Sequence, residues 1–199
     1  MAERHHLGGR RPVGVTDRAW QTPLGEAQID SGLAAELRQA FPLLREDAIA
    51  HETEHALEVQ LPFLQRLTGE FRFVPIVLGT ERFDVLERLG RAIAKVYVAQ
   101  KEPFLILTSS DMNHYESDAI TRVKDRVALD RIAALDPAGL QKVIHEKEIS
   151  MCGYGPAIVM MTAMRALGAE QAEIVAYATS AEVSGDFDWV VGYAGAIVA

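Results

Sequence analysis

Residues 71–110, FRFVPIVLGTERFDVLERLGRAIAKVYVAQKEPFLILTSS, decide the fold class. The flanks FRFVPIVLG (71–79) and PFLILTSS (103–110) are dense in aliphatic and β-favouring residues and bounded by Gly, Pro or Ser, as buried strands are. Between them Phe83, Leu86, Leu89, Ile93 and Val96 recur at helical spacing. Strand, helix, strand in this order predicts a parallel pair joined by a crossover helix.

The rest of the chain extends this alternation. AITRVKDRVALDRIAALD (119–136) and PAGLQKVIHEKE (137–148) read as amphipathic helices, the second with Asp136 as N-cap and Pro137 at its first position. GPAIVMMTAMRALG (155–168) is apolar on nearly every side and ends in Gly168, so it reads as a buried helix with a glycine stop. AEIVAYATS (172–180) and VVGYAGAIVA (190–199) add two strands. The expected fold is α/β, a mixed sheet flanked by helices on both faces. The beginning fits less well: it offers a strand only around Val13 to Val15 and a turn at Thr22-Pro23-Leu24-Gly25, with no long buried opening strand.

Composition narrows the function. The 199 residues, 49% hydrophobic and 24% charged, suffice for one domain with a sizeable core. A net charge of -8, with Arg10-Arg11 as the only basic doublet, excludes a nucleic-acid partner, which needs clustered cations. No apolar run approaches the ~20 residues of a membrane span, and MAERHHLGG has no signal-peptide core, so the expected location is the cytoplasm. The lone Cys152 cannot form an internal disulfide and is either inert core or chemically employed.

Three stretches carry candidate chemistry. HETEH (51–55) fits HExxH, which binds zinc when both histidines share one helical face and the glutamate acts as general base. Pro62 limits a helix beginning near Asp47 and no third ligand follows, so a zinc protease ranks last; the competing reading pairs Glu54, His55 and Glu58 as carboxylates orienting an imidazole, against the bland one of a solvated face. TSSDMNHYES (108–117) lies just beyond the expected strand 103–110, where α/β proteins gather ligand and catalytic residues. Asp111 and His114 there suit an acid–base pair, or alternatively a capped turn. MCGYGP (151–156) sets Cys152 ahead of a helix start, a placement that favours a nucleophile or soft metal ligand.

In series, HHLGG (5–9), WQTPLGEAQID (20–30), EHALEVQLPFLQ (54–65), FVPIVLG (73–79), SSDMNHYES (109–117), CGYGPAIVMM (152–161) and YAGAIVA (193–199) strongly resemble the Memo family, also named AmmeMemoRadiSam system protein B. The resemblance covers nearly the whole chain and is far more specific than HExxH. It implies a fold like that of the class III extradiol dioxygenases, whose iron is held by two histidines and a carboxylate. It also implies a pocket with a changed ligand set, associated with iron or copper and redox roles but with no settled reaction. Carried over, His5 matches a proposed metal-ligand histidine, with His6 the alternative register and a pocket residue; Cys152 matches the cysteine that replaces the dioxygenase carboxylate. Asp111 and His114 match the pair lining the pocket, and Glu54 and His55 match the family's Glu-His before Leu61-Pro62. His51 matches nothing characteristic.

The resemblance also implies an earlier strand–helix segment with a His-Ala-Gly-Tyr motif, which these residues lack, and Arg4 stands where the family has Asn or Ser. The expectation is a single Memo-like domain, residues 1–199, with an incomplete ligand set. It follows that iron or copper binds weakly or not at all and that exposed sheet edges promote self-association. The expected partner is a small molecule or peptide. The rival readings are a non-catalytic binding module and a metal-free enzyme with Cys152 as nucleophile and His114 as base.

Overall fold

The computed structural model describes residues 1–3, 12–52 and 54–199. In chain order the elements begin with strands β1 (Ala2–Glu3), β2 (Val13–Val15), β3 (Trp20–Thr22) and β4 (Gly25–Ile29), helix α1 (Ser31–Ala40) and strand β5 (Leu44–Glu46). After two short 3-10 turns, Ala48–His51 and Glu58–Gln60, come α2 (Leu61–Thr68), β6 (Arg72–Phe73), β7 (Ile76–Leu78) and α3 (Phe83–Ala99). The second half holds β8 (His114–Glu116), α4 (Asp118–Ala133), α5 (Pro137–Glu146), α6 (Tyr154–Ala166), β9 (Glu173–Thr179), α7 (Ala181–Ser184) and β10 (Val190–Ile197).

The class is α/β, but among the described residues the strands divide into three small sheets, ordered β1-β7-β2-β5, β8-β10-β9 and β3-β4-β6. The first mixes parallel and antiparallel pairs: β2 runs parallel to β5 and antiparallel to β7. β2 forms where the sequence reading placed a strand, at Val13–Val15; what that reading did not expect is its place inside the sheet, with Val13 and Val15 fully buried between two neighbours. A strand this short gives no periodicity to read. Thr22 and Gly25 close the β3–β4 hairpin as the turn residues suggest.

The decisive stretch is only partly as its pattern predicts. FRFVPIVLG splits at Val74-Pro75, sending β6 to one sheet and β7 to another; Pro75 has no N–H to continue a ladder. α3 forms as expected, with Leu86 and Leu89 wholly buried, each such side chain contributing about 1.5–3 kcal/mol. Among the described residues the expected strand 103–110 belongs to no sheet. It carries no regular secondary structure, Leu105 and Leu107 are exposed, and among the described residues its backbone pairs only where Met1 N–H donates to the Leu107 carbonyl and Ser109 N–H to the Met1 carbonyl. The apolar composition is that of a strand; the described chain provides one residue, not a neighbouring strand, for it to ladder with. A 670 Å³ groove runs along it between α1 and α2.

α3 packs on α6, and Gly90 makes the approach possible: a Cβ there would lie 2.6 Å from the Val159 carbonyl. α6 is buried along most of its length, and Gly168, at φ +100°, turns the chain away as the N–H of Ala169 donates back to Met164. Asp136 caps α5 through Gly139 N–H at 2.9 Å. The segment 103–113 therefore runs over a rigid base of α3, α6 and β10, and it delivers Asp111 and His114 to one edge of that base.

Candidate functional site

Asp111, His114 and Cys152 come together, their donor atoms all within 4.8 Å of one another; among the described residues they form the one such group able to hold a metal ion. Two loops make the group. The first follows segment 103–110 from Ser109 and the second, residues 147–153, leads into α6.

Gly153 lets the loops touch. A Cβ at this position would stand 2.4 Å from the Ser110 Cβ and 2.7 Å from the Ser109 carbonyl, so only glycine fits. The Gly153 N–H donates to Ser110 Oγ at 2.7 Å, and the Asp111 N–H donates to Cys152 Sγ at 3.2 Å. The thiol is thus held by a backbone donor from the opposite loop.

Asn113 fixes the other half. Wholly buried, it uses every polar atom: its N–H donates to Asp125 at 2.8 Å, its carbonyl accepts from Gly192 and its Nδ2 donates to Glu116 and Thr121. Oδ1 accepts from Ser150 N–H at 3.0 Å and lies 3.1 Å from Ser150 Oγ, which in turn accepts from His114 N–H at 2.7 Å. Asp125, itself fully buried, also accepts from the Tyr177 hydroxyl at 2.7 Å. This satisfied network locks both loops in register.

The electrostatics follow from the three groups. His114 Nε2 lies 3.5 Å from Asp111 Oδ2, and the hydrogen bonds to Asp111 and then to Cys152 raise its pKa from 6.5 to about 10. At neutral pH the imidazole is therefore a cation between two potential anions. Burial, with the nearby charge of Asp111, also pushes the Tyr193 phenol up. The trio has an open side, since Asp111 is 49% exposed while His114 is 17% exposed.

The remaining sequence candidates lie elsewhere. His55 is 73% exposed, its Nδ1 2.8 Å from Glu58, the carboxylate–imidazole contact their spacing suggests. Glu54 is buried; one oxygen accepts from Ala56 N–H at 2.7 Å and the other has no partner among the described residues. Among the described residues HETEH forms no α-helix of the kind a zinc pair needs: a 3-10 turn covers Ala48–His51, and α2 begins only at Leu61 with Pro62 in its first turn. The His51 ring packs edge-on against Trp20, with neither nitrogen hydrogen-bonded among the described residues, rather than facing His55 as a zinc pair would. His5 and His6 lie outside the described residues. Sequence reasoning missed Asn113, Ser150 and the close approach at Gly153; the only visible signal was a glycine following the lone cysteine.

A family model described as Memo-like protein matches residues 3–197. A MEMO1 family protein of Methanopyrus kandleri is 41% identical over 96% of this chain and 68% of its own length. One of Methanocaldococcus jannaschii is 39% identical over 98% and 69%, and one of Ignicoccus hospitalis 46% identical over 88% and 62%. The chain therefore spans about two thirds of the length of these relatives.

Proposed function

The chain belongs to the Memo-like family, and from that premise we propose that Asp111, His114 and Cys152 form a redox-type metal pocket for iron or copper. The observation that carries this reading is the convergence of a carboxylate, an imidazole and a thiol within 4.8 Å. The donor set fits such an ion: thiol and imidazole suit iron and copper, and ligand bonds of ~2.0–2.3 Å require donors about this close. The field that holds a proton on His114 is also the field that attracts a metal cation. Three protein donors with one open side hold the ion weakly in these 199 residues, and the extradiol-like fold stands as part of the same reading.

When bound, iron or copper supplies electron transfer and Lewis acidity at the pocket. The chain's own residues do the rest. With no ion bound, Asp111 orients the His114 ring, which holds a proton there and gives that proton up to take an ion in its place, while the Asp111 N–H keeps Cys152 Sγ in position beside the ring. A metal-free reading, with Cys152 as nucleophile and His114 as its acid–base partner, draws on the closeness of these two side chains, whose donor atoms lie within 4.8 Å.

Metal analysis after anaerobic, reducing purification tests the proposal. The expected result is iron or copper below one equivalent, retained by His51→Ala and lost in Cys152→Ser and in His114→Ala. Metal retained in both of the last two variants sinks the reading. No metal at all, together with rapid alkylation of Cys152, transfers the assignment to the metal-free reading.

A further inference from the structure

Beside the pocket the backbone does something its sequence does not favour. β8 and β10 shift register: Val190 pairs with Glu116 and Val191 with His114, so Tyr115 is the extra residue of a β-bulge. Its φ is +59°, a left-handed conformation that a bulky side chain adopts only when the surrounding structure imposes it. The effect is to direct the phenol ring outward. There it stacks on Trp189 with centroids 6.0 Å apart and planes within 20°, and the His114 ring lies 5.5 Å away on its other neighbour. Tyr115 is 60% and Trp189 64% exposed.

Two large rings left in water forgo the burial that usually stabilises aromatics, and the backbone beneath one of them is strained. A purely structural bulge requires neither. Bulges beside active sites characteristically re-aim one side chain, and the side chain re-aimed here ends against a residue of the donor trio.

We propose that Tyr115 and Trp189 form a stacking platform for a planar aromatic or heteroaromatic small molecule, seated with one edge at His114 and the open side of the Asp111–Cys152 pocket. Two near-parallel rings present a flat π face, which favours an unsaturated ring over a saturated one of equal size. The inference rests on the pocket reading for its location, not for the presence of a metal.

The test uses 2-naphthol and its saturated counterpart decahydro-2-naphthol, titrated into the full chain while the two tryptophan indole N–H resonances are followed by NMR. The expected result is saturable binding of 2-naphthol that shifts the Trp189 signal and not that of Trp20, with decahydro-2-naphthol at least ten-fold weaker. Trp189→Ala weakens 2-naphthol at least ten-fold. Tyr115→Gly does the same while raising the melting temperature, because glycine relieves the positive φ. Equal binding of the saturated compound, unchanged binding in both variants, or a lowered melting temperature in Tyr115→Gly overturns the platform. Cys152→Ser keeps the two readings apart: loss of metal with retained naphthol binding supports both. Naphthol binding without metal fells only the metal pocket, and metal without naphthol binding fells only the platform.

Discussion

The backbone N–H of Asp111 donates to the sulfur of Cys152 at 3.2 Å, joining two loops separated by 41 residues of sequence. Everything chemical about the site depends on this contact, because Asp111 and His114 travel on one loop and Cys152 on the other. Gly153 is what allows it. Gly153→Ala places a methyl inside the Ser109–Ser110 backbone and forces the loops apart. The expected outcome is a loss of about 1–3 kcal/mol in urea unfolding, the range for an overpacked buried position, with loss of metal uptake. Gly168→Ala is the control: it lies at positive φ away from the site and destabilises without changing metal uptake.

Asn113 and Ser150 act as a pair. Removing the Asn113 amide leaves the buried Thr121 hydroxyl and the partly buried Ser150 N–H without this partner. Asn113→Ala is expected to destabilise by about 2–4 kcal/mol and Ser150→Ala by about 1–2 kcal/mol. Because they share hydrogen bonds, the double variant loses less than the sum, by about 0.5–3 kcal/mol. Additivity within a few tenths of a kcal/mol would show that the loops are held independently.

His114 predicts a pH dependence of definite sign in metal-free protein. Its pKa is 6.5 in the unfolded reference and about 10 when folded, so the native state binds this proton more tightly. The stabilisation is fully present below pH 6.5 and is lost as pH rises through 10. Imidazole resonances followed by NMR from pH 5 to 11 should place the His114 midpoint near 10. Asp111→Asn, which removes the largest cause, should bring it well down toward 6.5.

The sequence made the long helices legible because their apolar residues recur over several turns, as in α3, or fill nearly every side up to a glycine stop, as in α6. It misled where a local pattern lacked partners. Residues 103–110 have strand composition, but a strand exists only as one side of a ladder, and composition cannot report the other side. Val13–Val15 is the reverse case, central in its sheet yet too short to signal its place. At the site, Asp111, His114 and Cys152 could be named from residue type and position relative to elements. The groups that bring them together could not. Asn113 looks like an ordinary loop residue until its partners Asp125, Thr121 and Ser150 are placed around it, and Tyr115 shows its strain only as a dihedral angle.

HETEH leaves a prediction of a different kind from zinc chemistry. The His51 ring is held against Trp20, and burial, only partly offset by the charge of Asp47, lowers its pKa to about 4. Above pH 6.5 it is neutral in both folded and unfolded chains and pH has no effect through it. As pH falls from 6.5 toward 4, the unfolded chain takes up the proton and the native state does not, so stability is lost across that window. Between pH 7 and 5 the loss attributable to His51 is up to about 2 kcal/mol. His51→Phe keeps a ring on Trp20 without a titrating nitrogen, so its urea midpoint should fall less than that of the parent chain over the same interval. An equal fall in both would mean that the acid sensitivity arises elsewhere. A zinc ligand would behave otherwise: added zinc would stabilise the parent chain and not the variant, whereas a half-buried histidine packed on Trp20 predicts no difference between them.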